Sequence, residues 1–178
     1  TNRPRMALGL LAGAELSEPL QPPPMAFFGG ARNAPTNYTL PDQRVLLHGV
    51  THPPLRTSAM RTLGGAGNTF ANESFMDELA YTAETDPVAF RLRHLDDPRG
   101  RAVLEAATQA ADWGRALPAG EGQGVAFARY ENDEAYVATV AHVAVDEATG
   151  ALRVRRIVVA HDCGLIINPN GVRNQIEG

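Results

Sequence analysis

The chain predicts an α+β fold, and three observations carry that prediction. Apolar residues recur at helical spacing between about 72 and 113, then alternate with period two between 124 and 160. The changeover falls near Gly114, so helices precede strands instead of alternating with them, which places an antiparallel sheet beside a helical layer. The run Asp146-Glu147-Ala148-Thr149-Gly150 is a hairpin turn signal within the strand-rich part.

Residues 1–43 are rich in Pro, Gly and Asn and read as an extended arm. Gln21-Pro22-Pro23-Pro24 favours polyproline II, and Phe28-Gly29-Gly30 favours a turn. Residues 44–178 read as the folded part of a domain. Gln43 to Val50 alternates enough to predict a strand, stopped by His52-Pro53-Pro54. The first helix is expected over 72–84, with Phe75, Met76, Leu79, Ala80 and Ala83 on its apolar face. Asp86-Pro87 opens a second helix, Asp86 as N-cap and Pro87 in the first turn, with Val88, Phe90, Leu92 and Leu95 inward. Asp97-Pro98 repeats that signal for a third, over 99–113, burying Val103, Leu104, Ala107 and Ala110 and ended by Gly114. Three Val-rich strands follow, over 124–129, 135–146 and 151–160.

Composition narrows the function. With 178 residues, 44% apolar and 20% charged, the chain reads as globular. A net charge of −4 argues against a general nucleic-acid surface. All sixteen basic residues are arginine, so no lysine Schiff base forms within this stretch. A single cysteine rules out an intrachain disulfide and a cysteine cluster for zinc or iron–sulfur. No two of the five histidines stand at i, i+4 on a predicted helix, as a helical metal site requires. The start at Thr1 and the stop at Gly178 read as a piece of a longer polypeptide.

Two stretches carry chemistry. The first is Arg61-Thr62-Leu63-Gly64-Gly65-Ala66-Gly67-Asn68, running into Thr69-Phe70-Ala71-Asn72-Glu73-Ser74-Phe75-Met76-Asp77-Glu78-Leu79-Ala80. Its glycines permit positive φ and close backbone approach to a ligand, and the helix behind them offers free N–H groups. Taken alone it is an ordinary helix-entry loop. The second is His161-Asp162-Cys163-Gly164-Leu165-Ile166-Ile167-Asn168-Pro169-Asn170-Gly171-Val172-Arg173-Asn174-Gln175-Ile176-Glu177-Gly178. Asp162 and Asn168-Pro169 shape a loop there. Cys163 reads as a small buried hydrophobe, although His161 would share its face in an extended segment. Glu73, Asp77 and Glu78 read as carboxylates near a helix N-terminus, favouring the dipole.

Together these stretches resemble the molybdopterin-binding subunit of the xanthine dehydrogenase and aldehyde oxidase family, in particular its bacterial branch with isoquinoline 1-oxidoreductase and nicotinate dehydrogenase large subunits. The first is similar to that family's Arg-x-x-Gly-Gly turn and following helix, the second to its Asp-x-Gly, Asn-Pro and Gln-x-Glu-Gly signature. The resemblance implies a pyranopterin carrying molybdenum, as the molybdopterin cytosine dinucleotide, and hydroxylation of an N-heterocycle or aldehyde with water-derived oxygen. It implies that Ala59, Met60, Arg61, Gly64, Gly65, Gln175 and Gly178 contact the cofactor and that Leu63 lines the substrate pocket. Members acting on purines carry an aromatic residue where Leu63 stands, which argues against purines here. Gln175 would hydrogen-bond the pterin, since an amide donates and accepts at once; taken alone it is a solvated side chain near a strand end.

The family's general base is a glutamate in a Gly-x-Gly-Glu loop beyond this stretch, so no catalytic residue is expected among these 178, and the isolated chain is expected to be inactive. Implied partners are a small-molecule substrate, a 2Fe–2S iron–sulfur subunit and a cytochrome c acceptor, in a cytoplasmic or periplasmic setting. The competing expectation is a scaffold or binding protein that kept the fold without the chemistry. On the family reading, the loops 59–68 and 162–178 flank one groove.

Overall fold

The computed structural model describes residues 29–48 and 61–178. They form α1 (Gly65–Thr82), α2 (Pro87–His94), α3 (Pro98–Ala110), β1 (Glu121–Arg129), β2 (Tyr136–Val145), β3 (Leu152–Asp162) and α4 (Pro169–Glu177). The strands make one antiparallel sheet in the order β1-β2-β3. The fold is α+β, with helices first and sheet second.

Local chemistry explains most boundaries. Asp86 caps α2, its Oδ1 accepting the N–H groups of Val88 and Ala89 at 2.9 Å. Asp97 caps α3 in the same way, through Arg99 and Gly100 at 2.9 and 3.2 Å. Pro87 and Pro98 take first-turn positions where no donor is missed. In the β2–β3 connection, Asp146 Oδ1 accepts from Ala148 and Thr149, and Gly150 supplies the positive φ.

α3 lies against all three strands, while α1 packs on α2 and β1. The core between helices and sheet holds Leu95, Val103, Leu104 and Ala107 on one side and Val125, Phe127, Ala138 and Val140 on the other. Gly100 lets α3 come close to the sheet: a Cβ there would sit 2.9 Å from the Phe127 ring.

Several expectations need correction. Residues 43–48 form no strand; Val45 and Leu46 are 49% and 63% exposed, with no partner strand among the described residues. The rest of that segment lies outside the described residues. α1 starts at Gly65, so Glu73 sits two turns inside the helix, not near its N-terminus. The helix is also rotated from the expected face: Glu73, Met76 and Ala80 are buried, while Phe75 is 57% exposed and Ala83 is exposed. Polar partners for Glu73, described below, decide that rotation. α3 ends at Ala110, which is exposed, before the expected Trp113. Finally, the stretch read as a loop over 162–178 contains a fourth helix, α4, so Gln175 lies on a helix and not near a strand end.

Candidate functional site

The turn at 61–65 owes its shape to two residues that are not glycine. Thr62 and Leu63 have φ of 71° and 52°, whereas the N-cap Gly64 is right-handed at −80°. Left-handed backbone at a leucine is uncommon and is held here by its surroundings. Gly64 donates its N–H to Gly29 O at 2.9 Å, and a Cβ on Gly64 would lie 2.1 Å from Gly30 O. Gly64 is therefore required by the close approach of the 29–31 turn. The half-buried Leu63 side chain covers Gly29. Gly65 gives its N–H to Thr62 O at 2.8 Å, which leaves the N–H groups of Ala66 and Gly67 without a backbone acceptor among the described residues. Arg61 is exposed. Ala59 and Met60 lie outside the described residues.

Three asparagines tie this turn to the sheet. Asn68 Nδ2 donates to the carbonyls of Gly30 and Arg32, both at 2.8 Å, and Asn72 Nδ2 to that of Asn33 at 3.0 Å. Asn33, 3% exposed, donates to Arg129 O at 2.8 Å and accepts from Glu131 N–H at 3.1 Å. Gly65 rests against the Tyr130 ring, 3.1 Å from where its Cβ would be. Sequence reading missed Asn33. The available signal is an asparagine close behind a Gly-Gly pair, since asparagine tolerates the left-handed backbone it adopts here, with φ of 58°.

The second motif leaves the sheet at the end of β3. Asp162 Oδ1 accepts Gly164 N–H at 2.9 Å, and Gly164 has φ of 77°. The Arg99 guanidinium reaches both Asp162 oxygens, Nε to Oδ2 at 2.8 Å and Nη2 to Oδ1 at 2.7 Å. Asn168 caps α4, Oδ1 accepting Gly171 N–H at 3.0 Å, with Pro169 behind it. Asn168-Pro169 thus repeats the Asp86-Pro87 signal and was readable as a helix start. α4 buries none of its residues. Cys163 is exposed, against the expectation of a buried hydrophobe: chain reversal at Gly164 turns the segment off the sheet.

Between α4 and the end of β3 lies an open groove of about 500 Å³, lined by His161, Asn168, Gly171, Val172, Gln175 and Ile176. His161 Nδ1 is shielded from solvent and has no hydrogen-bond partner among the described residues.

Both motifs lie at the same end of the sheet, the first packed against it and the second continuing from it. Arg129, Tyr136 and Asp162 are neighbours across the three strands. Arg129 leads into Tyr130, against which Gly65 packs; Asp162 leads into the groove. Charge concentrates there. The Arg99 and Arg129 guanidiniums lie 4.6 and 4.9 Å from the Tyr136 ring centroid, and Tyr136 Oη donates to Asp97 at 2.8 Å. The Arg99 hydrogen bonds, helped by Gly164 N–H, pull the Asp162 carboxyl down to about 2. Burial pushes the Tyr136 phenol up, reinforced by Asp97.

A separate polar cluster sits inside the helical layer. Glu73 Oε2 accepts from Arg91 Nε at 2.9 Å, Tyr38 Oη at 3.1 Å and Phe127 N–H at 2.9 Å. Arg91, fully buried, also donates to Asp77 Oδ1 at 2.6 Å and to Glu73 O at 2.9 Å. One carboxylate thereby joins the 29–48 segment, α1, α2 and β1.

Two family models, each described as a molybdopterin cofactor-binding domain, match residues 66–178 and 14–95. The chain belongs to the molybdopterin cofactor-binding domain family. It is 40% identical to a subunit of the nicotinate dehydrogenase of Pseudomonas putida over 98% of this chain and 15% of that protein. It is 40% identical to the beta subunit of the isoquinoline 1-oxidoreductase of Brevundimonas diminuta over 67% of this chain and 16% of that protein. A membrane-bound aldehyde dehydrogenase (pyrroloquinoline-quinone) of Gluconacetobacter polyoxogenes is 26% identical over 76% of this chain and 20% of that protein. The chain thus spans about a sixth of the length of the first two relatives, and molybdopterin is the ligand class of its family.

Proposed function

We propose that this molybdopterin-binding domain segment supplies two walls of the cofactor site in a molybdenum hydroxylase, both at the same end of the sheet. That common location is the observation that carries the reading. The stretch 59–68 is one wall: Ala59, Met60, Arg61, Gly64 and Gly65 contact the cofactor, with Leu63 beside the substrate. The groove along α4 is the other, with Gln175 and Gly178 toward the pterin. Residues 44–178 act as one partial domain and 1–43 as its arm.

The residues suit such a group. Gln175 offers both a donor and an acceptor to a heterocycle edge. Ala66 and Gly67 carry N–H groups without backbone acceptors among the described residues, fitted to an oxo or phosphate group at a helix start. Gly67 and Gly178 have open space where a Cβ would be, room for close main-chain approach. The shielded His161 Nδ1 beside the groove lacks a partner among the described residues. When bound, the molybdenum cofactor supplies the redox chemistry, and the protein orients it. This chain's residues hold and aim the cofactor; the general base belongs elsewhere in the longer polypeptide.

The finer reading is a molybdopterin cytosine dinucleotide, an N-heterocycle or aldehyde as substrate, and a 2Fe–2S subunit as partner, with a cytochrome c as acceptor. The names of the two relatives at 40% identity support the N-heterocycle. The test is Gln175→Ala in the whole protein. Leaving pterin edges unpaired costs about 1–3 kcal/mol, a loss of roughly 5- to 150-fold in cofactor affinity. The apo melting temperature should hardly move, because Gln175 is exposed. Full molybdenum content in the mutant under limiting cofactor would remove Gln175 from the site.

A further inference from the structure

Among the described residues, little holds the segment 163–178. α4 buries no residue, and its capping bonds, Gly171 N–H to Asn168 Oδ1 and Gly178 N–H to Asn174 O, stay within the segment. Leu165 and Ile167 are exposed. Among the described residues, the only side chain from elsewhere that hydrogen-bonds or ion-pairs with 162–178 is Arg99. Its grip is specific. The guanidinium fork takes both Asp162 oxygens in parallel, a geometry that fixes direction as well as distance. The same carboxylate receives Gly164 N–H and so sets the reversal from which the rest departs. Arg99 is itself located, one residue inside the capped start of α3 and over the buried Tyr136 ring.

We propose that Arg99, which lies outside both cofactor motifs, is a positioning residue: through Asp162 it aims the 163–178 segment, and with it Gln175, at the cofactor. This rests on the reading of the groove as a pterin wall. Arg99 touches no cofactor in this role. It restricts the angles at which α4 leaves β3, so the groove is formed before the ligand arrives and less ordering is left for binding to offset.

The experiment uses the whole protein and two readouts. Amide hydrogen exchange of the apo form reports the segment without any cofactor. Arg99→Leu should speed exchange over 163–177 while leaving α2, β1 and β2 unchanged, and Arg99→Lys should restore it only in part, because an ammonium cannot span both oxygens. Molybdopterin and molybdenum content at limiting cofactor is the second readout. It should fall about 3- to 10-fold in Arg99→Leu, the scale of one charge-assisted, partly exposed contact. Arg99→Leu with Asp162→Asn should lose no more than the worse single variant.

Wild-type exchange over 163–177 in Arg99→Leu, or normal cofactor content beside a defective Gln175→Ala, would overturn the proposal. So would a general loss of protection with a matching fall in melting temperature, which would make Arg99 a fold residue. If the wild-type protein holds no molybdopterin, the reading of the groove fails instead, while the exchange result still decides whether Arg99 orders the segment.

Discussion

Arg91 meets Glu73 inside the helical layer, and Arg99 meets Asp162 at the open end of the sheet. The two pairs join guanidinium to carboxylate at 2.9 and 2.7 Å. Their surroundings push the carboxylates in opposite directions. Burial raises the Glu73 carboxyl above its ordinary value in spite of Arg91, Tyr38 and the Phe127 N–H. Asp162, near solvent, keeps its hydration and is pulled down by the Arg99 hydrogen bonds. An interior pair is thus held at a desolvation cost and is costly to break, whereas an exposed pair contributes little to stability and can instead set direction. The first joins four parts of the fold; the second joins one lightly held wall of the candidate site to a fixed helix.

The largest expected effect breaks the buried pair from one side. Glu73→Leu leaves the Arg91 charge sealed with only the half-exposed Asp77 beside it, at a cost of about 3–5 kcal/mol in unfolding free energy. Denaturant titration checks this. Replacing both partners, Glu73→Leu with Arg91→Leu, should cost less than Glu73→Leu alone, because no buried charge is stranded. A single-variant loss under about 1 kcal/mol would mean the interior pair behaves like a surface one, and the comparison would collapse.

A smaller effect isolates one donor. Tyr38→Phe removes a hydrogen bond to Glu73 Oε2 but keeps the ring that packs near Phe127. Expected is a loss of about 1 kcal/mol, more if the donor to an ionised carboxylate counts fully. The phenol itself is held protonated by burial. A neutral result would assign the Glu73 charge to Arg91 and Phe127 N–H alone.

One of these pairs is harder to read from sequence than the signals around it. Asp86-Pro87, Asp97-Pro98 and the 146–150 hairpin are legible because caps and turns act within a few residues. The burial of Arg91 is not, because the cluster that holds it draws on Tyr38, Glu73 and Phe127, far apart in the chain. The helical pattern of α1 therefore favours Phe75 as an inward residue, and tertiary pairing of Glu73 overrides it. The motif positions at the site are legible by resemblance, but what shapes them is not. Positive φ falls on Thr62 and Leu63 instead of on the neighbouring glycines, and α4 is signalled by its Asn168-Pro169 start but not by its periodicity, since only Val172 and Ile176 mark its apolar side.

The gentlest perturbation is protonation itself. Asp162 has its folded pKa below the ordinary aspartate value of about 3.9, so its contribution to stability is present above that value and is lost as pH falls through about 2. Glu73 has its folded pKa raised, so the sign reverses: its contribution is present below the ordinary glutamate value and is lost as pH rises through the folded one. Acidification from neutral pH should therefore protonate Glu73 well before Asp162, although both face an arginine. Carboxyl carbon chemical shifts followed by NMR would give the order directly. Arg99→Leu should bring Asp162 up toward its ordinary range and leave Glu73 where it was, since the two pairs share no partner. Should Asp162 take its proton first in the wild-type protein, the environments have been assigned the wrong way round. The Arg99 fork would then be too loose to aim the segment that carries Gln175.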